Sequence, residues 1–507
     1  MKRLHYLFFI PSGKSTCKVA AAIFLCGISV LFVGCVAPQT RSVPASPERM
    51  LPPQQVSDFA GSSGTDTETK RLPGQAVELL EGLRKDGQLC LSLNDCFVLV
   101  PAQNLDVQLA GERVAQAASE ITEARAAMLP FLGAEGSYLR LDKELNFAMG
   151  PQSLTFMERD IYKGGLVARQ PLFTGGRLIA GYEAARHSRD ARAHEKRCVE
   201  AEMVFQTAHA YLSAQVADSF QKVAAQAVAL LQTHEHDVSA LLKNGAAPEI
   251  DLLRTQTELA NARKELNAAE NAVDLARSAL KNLLNIDLEE TIVLTEKMGQ
   301  PRAPADNLSS LTRKALSQRP ELSALNSQIA AAEQALKAAR GEYLPSVALE
   351  ARDEYMQGDV RDLEGGEHWT VGVGVEFPVW NWGQTTARVK KAALQLSQVR
   401  IQRQKTAAHI RLEVRGAYLA LKKAGKDIEA AGAALKTSEE AYRLARASYQ
   451  AGEGTNTDVL DARTGLSRAE ANYNQALFEY NVALAALQRA LGAAAEQTRI
   501  DEKEMDK

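Results

Sequence analysis

Residues 383–450 read GQTTARVKKAALQLSQVRIQRQKTAAHIRLEVRGAYLALKKAGKDIEAAGAALKTSEEAYRLARASYQ, a tract of 68 residues that contains no proline. At a rise of 1.5 Å per residue, a continuous helix of this length spans roughly 100 Å. A turn with two glycines follows at 451–455, and a second helical pattern then runs back to about Leu491. The stretch therefore predicts a long antiparallel helical hairpin, which cannot fold into a compact globule.

The chain contains a second copy of this unit. Gly176 precedes Gly383 by 207 residues, and the same offset relates further pairs, namely Pro171 with Pro378, Tyr211 with Tyr418, Gly245 with Gly452, Asp251 with Asp458 and Leu284 with Leu491. Upstream, Leu129-Pro130 recurs as Leu344-Pro345 at an offset of 215. Because chance does not keep one register over about a hundred residues, the sequence predicts an internal duplication.

Each copy repeats one order of elements. A helix, predicted at 93–128 and at 308–342, ends at the Leu-Pro pair, because the residue before proline disfavours the α conformation. Two strand-like runs follow, predicted at 131–147 and 161–173 in the first copy and at 346–357 and 369–379 in the second. The stretches between them, 148–160 and 358–368, contain glycine and charged residues and predict exposed tips. The long helical tract then begins, at 176–243 in the first copy.

The number of strands limits how the chain can assemble. Four strands are too few to close a barrel, because about eight are needed to surround a filled interior, and open strand edges are not tolerated in lipid. Three chains with four strands each would supply twelve. We therefore predict a mainly α protein with a small β part. Its long antiparallel coiled-coil hairpins form an α-barrel, and its four strands per protomer contribute to a trimeric 12-stranded transmembrane β-barrel.

The N-terminus is predicted to be a targeting segment, with basic residues before an apolar run at 19–33 that is short for a membrane-spanning helix. The run ends at Gly34-Cys35, which resembles a bacterial lipobox. Residues 1–34 are therefore interpreted as a lipoprotein signal peptide and Cys35 as the acylated residue, with an ordinary signal peptide cut elsewhere as the alternative. Val36 favours the outer membrane, because an inner-membrane retention signal usually has aspartate at this position.

The remaining boundaries follow from composition. Residues 35–88 are rich in Pro, Ser, Gln and Gly and predict a lipidated N-terminus with a flexible tether. The two repeats then occupy residues 89–300 and 301–495, and residues 496–507 form a polar C-terminal tail.

Composition and motifs exclude several classes of protein. The formal net charge of −3 gives no electrostatic reason to expect a nucleic-acid partner. No catalytic triad, phosphate-binding loop or metal-ligand spacing stands out, so we expect no enzyme activity, metal or cofactor. His234-Glu235-His236 is predicted to be a solvated helix surface, because positions i and i+2 do not share a helix face. Cys90 and Cys96 are predicted to be small packing residues, with a disulfide between them as the alternative.

The most specific motif is Tyr449-Gln-Ala-Gly-Glu-Gly-Thr-Asn-Thr-Asp-Val-Leu-Asp-Ala462. It is similar to the hallmark segment at the periplasmic end of the TolC-type outer-membrane efflux channels. The resemblance also includes the duplication, the two Leu-Pro pairs, and the segment Pro171-Leu172-Phe173 with its counterpart Pro378-Val379-Trp380. It covers about residues 90–492. It implies a homotrimeric exit duct in the outer membrane that extends into the periplasm. Such a duct passively conducts substrates from an inner-membrane pump (RND, ABC or MFS type) and a periplasmic adaptor, or membrane fusion protein, in tripartite efflux or type I secretion.

The resemblance also implies roles for individual residues. The periplasmic entrance is assigned to Asp458, Asp461, Asp251 and Tyr449, with the aspartates forming an acidic ring. The helix-reversal tips that contact the adaptor are assigned to Asn244, Gly245, Pro248, Gly452, Gly454 and Thr455. Thr455 and Asp458 also have capping-box spacing, so helix capping is an equal interpretation of Asp458. Gly454 stands where TolC has an arginine that helps to latch the entrance, so the closing contacts are expected to differ.

Two other interpretations are weighed against the channel. A periplasmic coiled-coil adaptor or structural lipoprotein is the main alternative, but an adaptor would have one hairpin flanked by small β-domains rather than a duplication. A lipid-anchored enzyme or binding protein needs a compact core and a pocket, which helices of this length do not provide. The sequence leaves the transported compound open.

Overall fold

The computed structural model describes residues 80–492, apart from 86, 150–151, 301–306 and 360–366, all within one compact unit. Cys35, the predicted signal peptide and the polar tail at 496–507 lie outside the described residues. The main helices are α1 Leu93–Gln103, α2 Leu105–Ala126, α3 Arg177–Lys243, α4 Glu249–Leu283, α5 Leu308–Gln318, α6 Pro320–Gly341, α7 Gln384–Gln450 and α8 Asn456–Leu491. The strands are β1 Arg84–Lys85, β2 Gln88–Leu91, β3 Phe131–Arg140, β4 Leu145–Met149, β5 Gln152–Phe173, β6 Ile292–Leu294, β7 Ser346–Asp359 and β8 Glu367–Glu376.

The two long hairpins match the sequence prediction to within one residue at the start of each long helix. α3 and α7 each contain 67 residues. Each begins directly after a glycine in the left-handed conformation, Gly176 at φ 78° and Gly383 at φ 82°, a backbone geometry that side-chain-bearing residues rarely adopt. Along the second hairpin, apolar side chains of α7 such as Ile410, Val414 and Leu421 are buried against α8. The second hairpin is therefore stabilised by apolar packing along the part of α7 that α8 covers.

The shorter helices differ from the prediction of one helix per copy. The predicted helix 93–128 is two helices, α1 and α2, separated by Asn104 in an extended conformation. The Asn104 side chain accepts hydrogen bonds from the N–H groups of Asp106 and Val107 and donates one to the carbonyl of Leu283. The predicted helix 308–342 is likewise divided at Arg319, because Pro320 disfavours the α conformation in the residue before it. Both breaks bend the chain at the junction with the return helices.

The large sheet is antiparallel throughout, in the order β3-β5-β7-β8, and β4 pairs only with β5. The prediction that 148–160 is an exposed tip is wrong, because β5 continues through it from Gln152 and forms a hairpin with β4. The central residues of the predicted tip 358–368 lie outside the described residues. β8 ends at Glu376, three residues earlier than predicted, and Pro378 follows it without an N–H to continue the ladder.

Strand register gives the large sheet one apolar and one charged face, because directly paired residues share a face. Leu132, Ala168, Ala351 and Val371 align in one row of the apolar face. The β8 side chains on this face are largely exposed, with Trp369 at 78% and Val375 at 67%. On the other face Arg352 lies 2.5 Å from Glu350 and 3.4 Å from Glu354, and Arg169 also contacts Glu350.

A second sheet closes the first repeat. β2 pairs with β1 and runs parallel to β6, which joins the start of the repeat to its end. The predicted tether at 35–88 is therefore too long, because residues 80–83 are helical and β1 and the first residue of β2 also fall within it. Cys96 is fully buried beside Leu89 and Leu91, and both Cys90 and Cys96 are free thiols, as the packing interpretation expects. Burial raises the pKa of Cys96 far above its ordinary value, which keeps this thiol protonated.

Packing between helices places α7 at one side of the protomer. In the half next to the sheet, α2 packs on α3, α3 on α6, and α6 on α7. In the half away from the sheet, α4 packs on α3, α3 on α8, and α8 on α7. α7 is therefore outermost on one flank, whereas α2 and α4 are outermost on the other.

Candidate functional site

The two helix reversals lie at the end of the hairpins opposite the sheet. Asn244 ends α3, and Gly245 takes φ 71° while its N–H donates to the carbonyl of Leu242 at 2.9 Å. Pro248 stands one residue before α4, where its missing N–H leaves no helical hydrogen bond unmade. In the second reversal Gly452 takes φ 79° and its N–H donates to the carbonyl of Tyr449. The predicted tip residues are therefore brought together at this end.

Gly454 fits closely against the end of α7. A Cβ added there would lie 3.2 Å from the Ser448 Cβ and from the Tyr449 nitrogen, which is tighter than ordinary van der Waals contact. The Gly454 N–H donates to the Ser448 carbonyl at 3.1 Å. An arginine at this position would require the turn to shift, so this reversal is closed by backbone contact rather than by a charged side chain.

Asp458 caps α8. Its carboxylate accepts hydrogen bonds from the Thr455 hydroxyl at 2.6 Å and from the Thr455 N–H at 2.9 Å, and the Asp458 N–H donates to the Thr455 hydroxyl at 3.2 Å. These bonds hold the pKa of the Asp458 carboxyl below its ordinary value, with the hydroxyl contributing most. The capping interpretation of Asp458 is confirmed.

Asp461 lies one turn further along α8, and its side chain is exposed. Within the described residues, its carboxylate makes no hydrogen bond or ion pair. Asp251, in the first turn of α4, accepts hydrogen bonds through its main-chain carbonyl from Thr255 and Asn456. The three predicted entrance aspartates therefore occur within the first two turns of the two return helices.

Tyr449 is buried between the hairpins with Val238 and Val459. Its hydroxyl has no hydrogen-bond partner among the described residues. Burial and the nearby charge of Asp251 raise the pKa of this hydroxyl, burial contributing most. The Tyr449 ring therefore packs between the two hairpins, against Val459 and His234.

His234 and Asn456 were missed by sequence reasoning. The prediction that His234 belongs to a solvated surface is wrong, because the side chain is only 3% exposed and its Nε2 lies 2.7 Å from the Asn456 Oδ1. The signal was present in the sequence: His234 falls three residues after Leu231 and four before Val238, on the apolar stripe of α3. His236, two residues further, is exposed as predicted.

Two features are absent from the part of the chain that the structure describes. No group of three or more His, Cys, Asp or Glu side chains is arranged to hold a metal ion among the residues that the structure describes. Within the same residues, no helix combines the length and apolar character required to cross a bilayer.

Comparison with known proteins places this geometry in context. Residues 99–285 and 311–493 match the sequence model of the family described as outer membrane efflux protein. The chain is 24% identical over 428 residues to the outer membrane efflux protein BepC of Brucella suis, covering 83% of this chain and 90% of BepC. It is 24% identical over 374 residues to SilC of Salmonella typhimurium, a probable outer membrane lipoprotein, covering 72% of this chain and 77% of SilC. The fold is similar to that of the Campylobacter jejuni CmeC outer membrane channel, with a TM-score of 0.69 and 19% identity over 90% of this chain and 98% of CmeC.

Replacing Asp458 is expected to lower the thermal stability of the protein, whereas replacing Asp461 is not. At neutral pH, Asp458→Ala lowers the thermal midpoint of the detergent-solubilised protein, followed by circular dichroism, because the α8 cap is lost. Asp461→Ala leaves it unchanged. The lowered pKa of Asp458 means that its stabilisation is complete above the ordinary carboxyl pKa of about 4 and is lost as pH falls through the lower folded-state value. The difference between the two variants should therefore shrink in acid, and equal midpoints at pH 7 would contradict the assignment.

Proposed function

Because the chain belongs to the outer membrane efflux protein family, we propose that three copies assemble into one exit duct that receives substrates from an inner-membrane pump through a periplasmic adaptor. The chain is an outer membrane efflux channel and not an enzyme, as the sequence predicted. The family match covers both repeats, which the adaptor alternative does not accommodate. The proposal concerns the number of copies, the partners, the entrance and the lipid anchor.

The main support for a trimer is that the large sheet has two unpaired edges. β3 and β8 are the edges of the large sheet, and among the described strands none pairs with their outer sides. An edge with free N–H and C=O groups is not tolerated in lipid, and an exposed apolar face such as that of Trp369 and Val371 is not tolerated in water. Pairing β8 of one copy with β3 of the next satisfies both constraints. With four long strands per copy, three copies give a closed barrel of twelve strands.

The helices support the same pairing of flanks. α2 leads into β3, and β8 leads into α7, so closing the barrel brings α7 of one copy against α2 of the next. Residues 384–426 of α7 contain eleven Lys or Arg and one acid, whereas α2 contains four acids and two Arg. Oppositely charged flanks favour one orientation of neighbours and disfavour the reverse.

Acidic residues of α2 and basic residues of α7 also lie at similar distances from the sheet. Glu120 lies six residues before the end of α2 at Ala126, and Lys390 lies six residues after the start of α7 at Gln384. Asp106 and Lys405 are likewise about twenty residues from the sheet at 1.5 Å per residue. Within the described residues, none of these four side chains forms an ion pair. Each is therefore available to a neighbouring copy.

Charge reversal tests this flank pairing. Asp106→Lys with Glu120→Lys, or Lys390→Glu with Lys405→Glu, should lower the heat-resistant trimer fraction several-fold at low salt, because facing like charges cost about 0.2–1 kcal/mol per pair. Combining the four changes should restore the trimer. Raising the salt to about 0.5 M should weaken the defect, since exposed charges are then screened.

Lys222→Glu, on α3 rather than on either flank, is the control for this experiment. If the combined variant assembles no better than the two double variants, the pairing of these flanks is wrong. If the unmodified protein is monomeric in detergent and in outer-membrane fractions, the trimer itself is rejected.

A trimer would also place the predicted entrance residues of the three copies around one axis. Three copies bring their α8 helices to one end, where Asp461 of each copy is free to face the axis. Carboxylates close together at a narrow opening repel one another and attract cations. Asp458 and Asp251 contribute further negative charge at the same level. The resulting acidic ring favours the entry of cations, and the tips around Gly245 and Gly452 remain accessible to an adaptor hairpin.

Asp461→Ala is expected to reduce the preference for cations of the purified trimer in a planar bilayer, measured as the reversal potential in a salt gradient. Asp287→Ala, an exposed aspartate in the loop after α4, is the matched control. An unchanged reversal potential in Asp461→Ala would exclude this residue from the entrance.

Lipid anchoring at Cys35 is supported by the lipobox-like sequence and by the similarity to a probable outer membrane lipoprotein. Acyl chains on Cys35 of every copy would together hold the trimer in the membrane more firmly than a single chain could. Cells grown with labelled palmitate should label the full chain and not its Cys35→Ser variant. A full chain that carries no label, or a variant that keeps it, would contradict the anchor.

A further inference from the structure

A buried polar cluster joins the ends of the two hairpins within one protomer. It consists of His234 from α3, Thr255 from α4 and Asn456 from the first turn of α8, and we refer to these three residues as the tip cluster. Their exposed fractions are 3%, 0% and 2%. Elsewhere the hairpins pack mainly through apolar side chains, as in the cluster of Val238, Tyr449 and Val459 directly beside it. The tip cluster is therefore a polar link placed inside an apolar contact.

The hydrogen bonds of Asn456 fix its orientation. Its Nδ2 donates to the main-chain carbonyl of Asp251 at 3.1 Å and lies 3.3 Å from the Thr255 hydroxyl. The Thr255 hydroxyl itself donates to the Asp251 carbonyl at 2.8 Å. The Asn456 Oδ1 therefore faces the His234 Nε2 at 2.7 Å, and this nitrogen must carry the proton in order to donate.

The surroundings make this link strong and specific. The ring of Tyr449 packs edge-on against the His234 imidazole, with centroids 5.4 Å apart, and it covers the cluster from α7. In such a site a hydrogen bond is not weakened by competing water, and breaking it leaves buried donors and acceptors without partners. One side chain, Asn456, thus bonds to both helices of the other hairpin at once.

The cluster lies directly behind the entrance. Asn456 follows the cap residue Thr455 and precedes Asp458 and Asp461 on the same helix, while Asp251 supplies the carbonyl that Asn456 binds. Displacing α8 relative to the first hairpin would move both carboxylates and would break the bonds of Asn456 to His234 and Asp251. Displacing one protomer relative to the next, along the seam between α4 and α7, would break none of them.

We propose that the tip cluster fastens the two hairpin ends of each protomer together and thereby sets the resting width of the periplasmic entrance. His234, Thr255 and Asn456 are positioning residues that act through Asp251, Asp458 and Asp461. The proposal rests on the proposed function of this end as the entrance of a trimeric duct. It assigns a role to three residues that carry no exposed charge and do not line the opening themselves.

The test uses the purified full-length trimer in planar bilayers. Asn456→Leu and His234→Leu keep the burial of each site but remove its hydrogen bonds. Each variant is expected to raise the ratio of open to closed current about twofold to thirtyfold, the range over which single contacts alter a conformational equilibrium. The double variant should exceed Asn456→Leu by no more than about twofold, because Asn456→Leu already removes the bond to His234.

Two controls isolate the cluster. Asn472→Leu changes an exposed asparagine on α8, and His236→Leu changes the exposed histidine two residues after His234, so both should conduct like the unmodified protein. Thr255→Val nearly preserves the shape of the side chain, and it provides a second test if a leucine variant fails to assemble. It should raise the open ratio to a smaller extent, because it removes the contacts of the Thr255 hydroxyl but leaves the bonds of Asn456 to His234 and to the Asp251 carbonyl in place.

The outcomes separate this inference from the proposed function. An unmodified protein that forms trimers but no channel overturns the proposed entrance and the tip cluster with it. A conducting unmodified protein whose heat-resistant Asn456→Leu, His234→Leu and Thr255→Val trimers all keep its open ratio overturns the tip cluster alone. A higher open ratio in the control variants would likewise reject a specific role for these three residues.

Discussion

Backbone N–H and C=O groups at the two edges of the large sheet need partners, and no further strand among the described residues supplies them. In lipid no water replaces a missing strand, so the edges must be paired by protein. Every larger feature of the molecule is compatible with that requirement. The sheet carries β3 on one edge and β8 on the other, and the helices attached to these strands, α2 and α7, are outermost on the same two flanks. A closed ring of copies is the arrangement that uses both edges.

The hairpins extend this ring away from the sheet. Each long helix is packed on neighbours along its length, but α7 is covered on one flank only, and its exposed surface includes Leu394, Ile401 and Leu412 among many cations. Exposed apolar groups that are rimmed by polar residues are typical of a surface that meets another molecule. The duplication makes this possible within a short sequence, because the same hairpin is used twice in each copy of the chain.

The far end of the hairpins combines two kinds of contact. Backbone turns at Gly245 and Gly454 close each hairpin on itself, and the capping box of Thr455 and Asp458 fixes where α8 begins. The polar bonds of Asn456 then join one hairpin to the other. Local bonds thus determine the shape of each tip, whereas a few long-range bonds determine the distance between the tips.

The sequence by itself determined the elements whose causes are local. The hairpins and the cap of α8 were predicted closely, because their causes act within a few residues of chain. These causes are the proline-free tracts of 67 residues, the left-handed glycines at 176 and 383, and the Thr455-Asp458 spacing.

Tertiary structure decided the rest. β5 crosses 148–160 because β4 pairs with it, and Asn104 divides a predicted helix because its side chain reaches Leu283. His234 lies on an apolar stripe that the sequence does show, but its partner Asn456 is 222 residues away. Contacts between residues so distant in sequence leave no local pattern, since their energy exists only once the chain has folded.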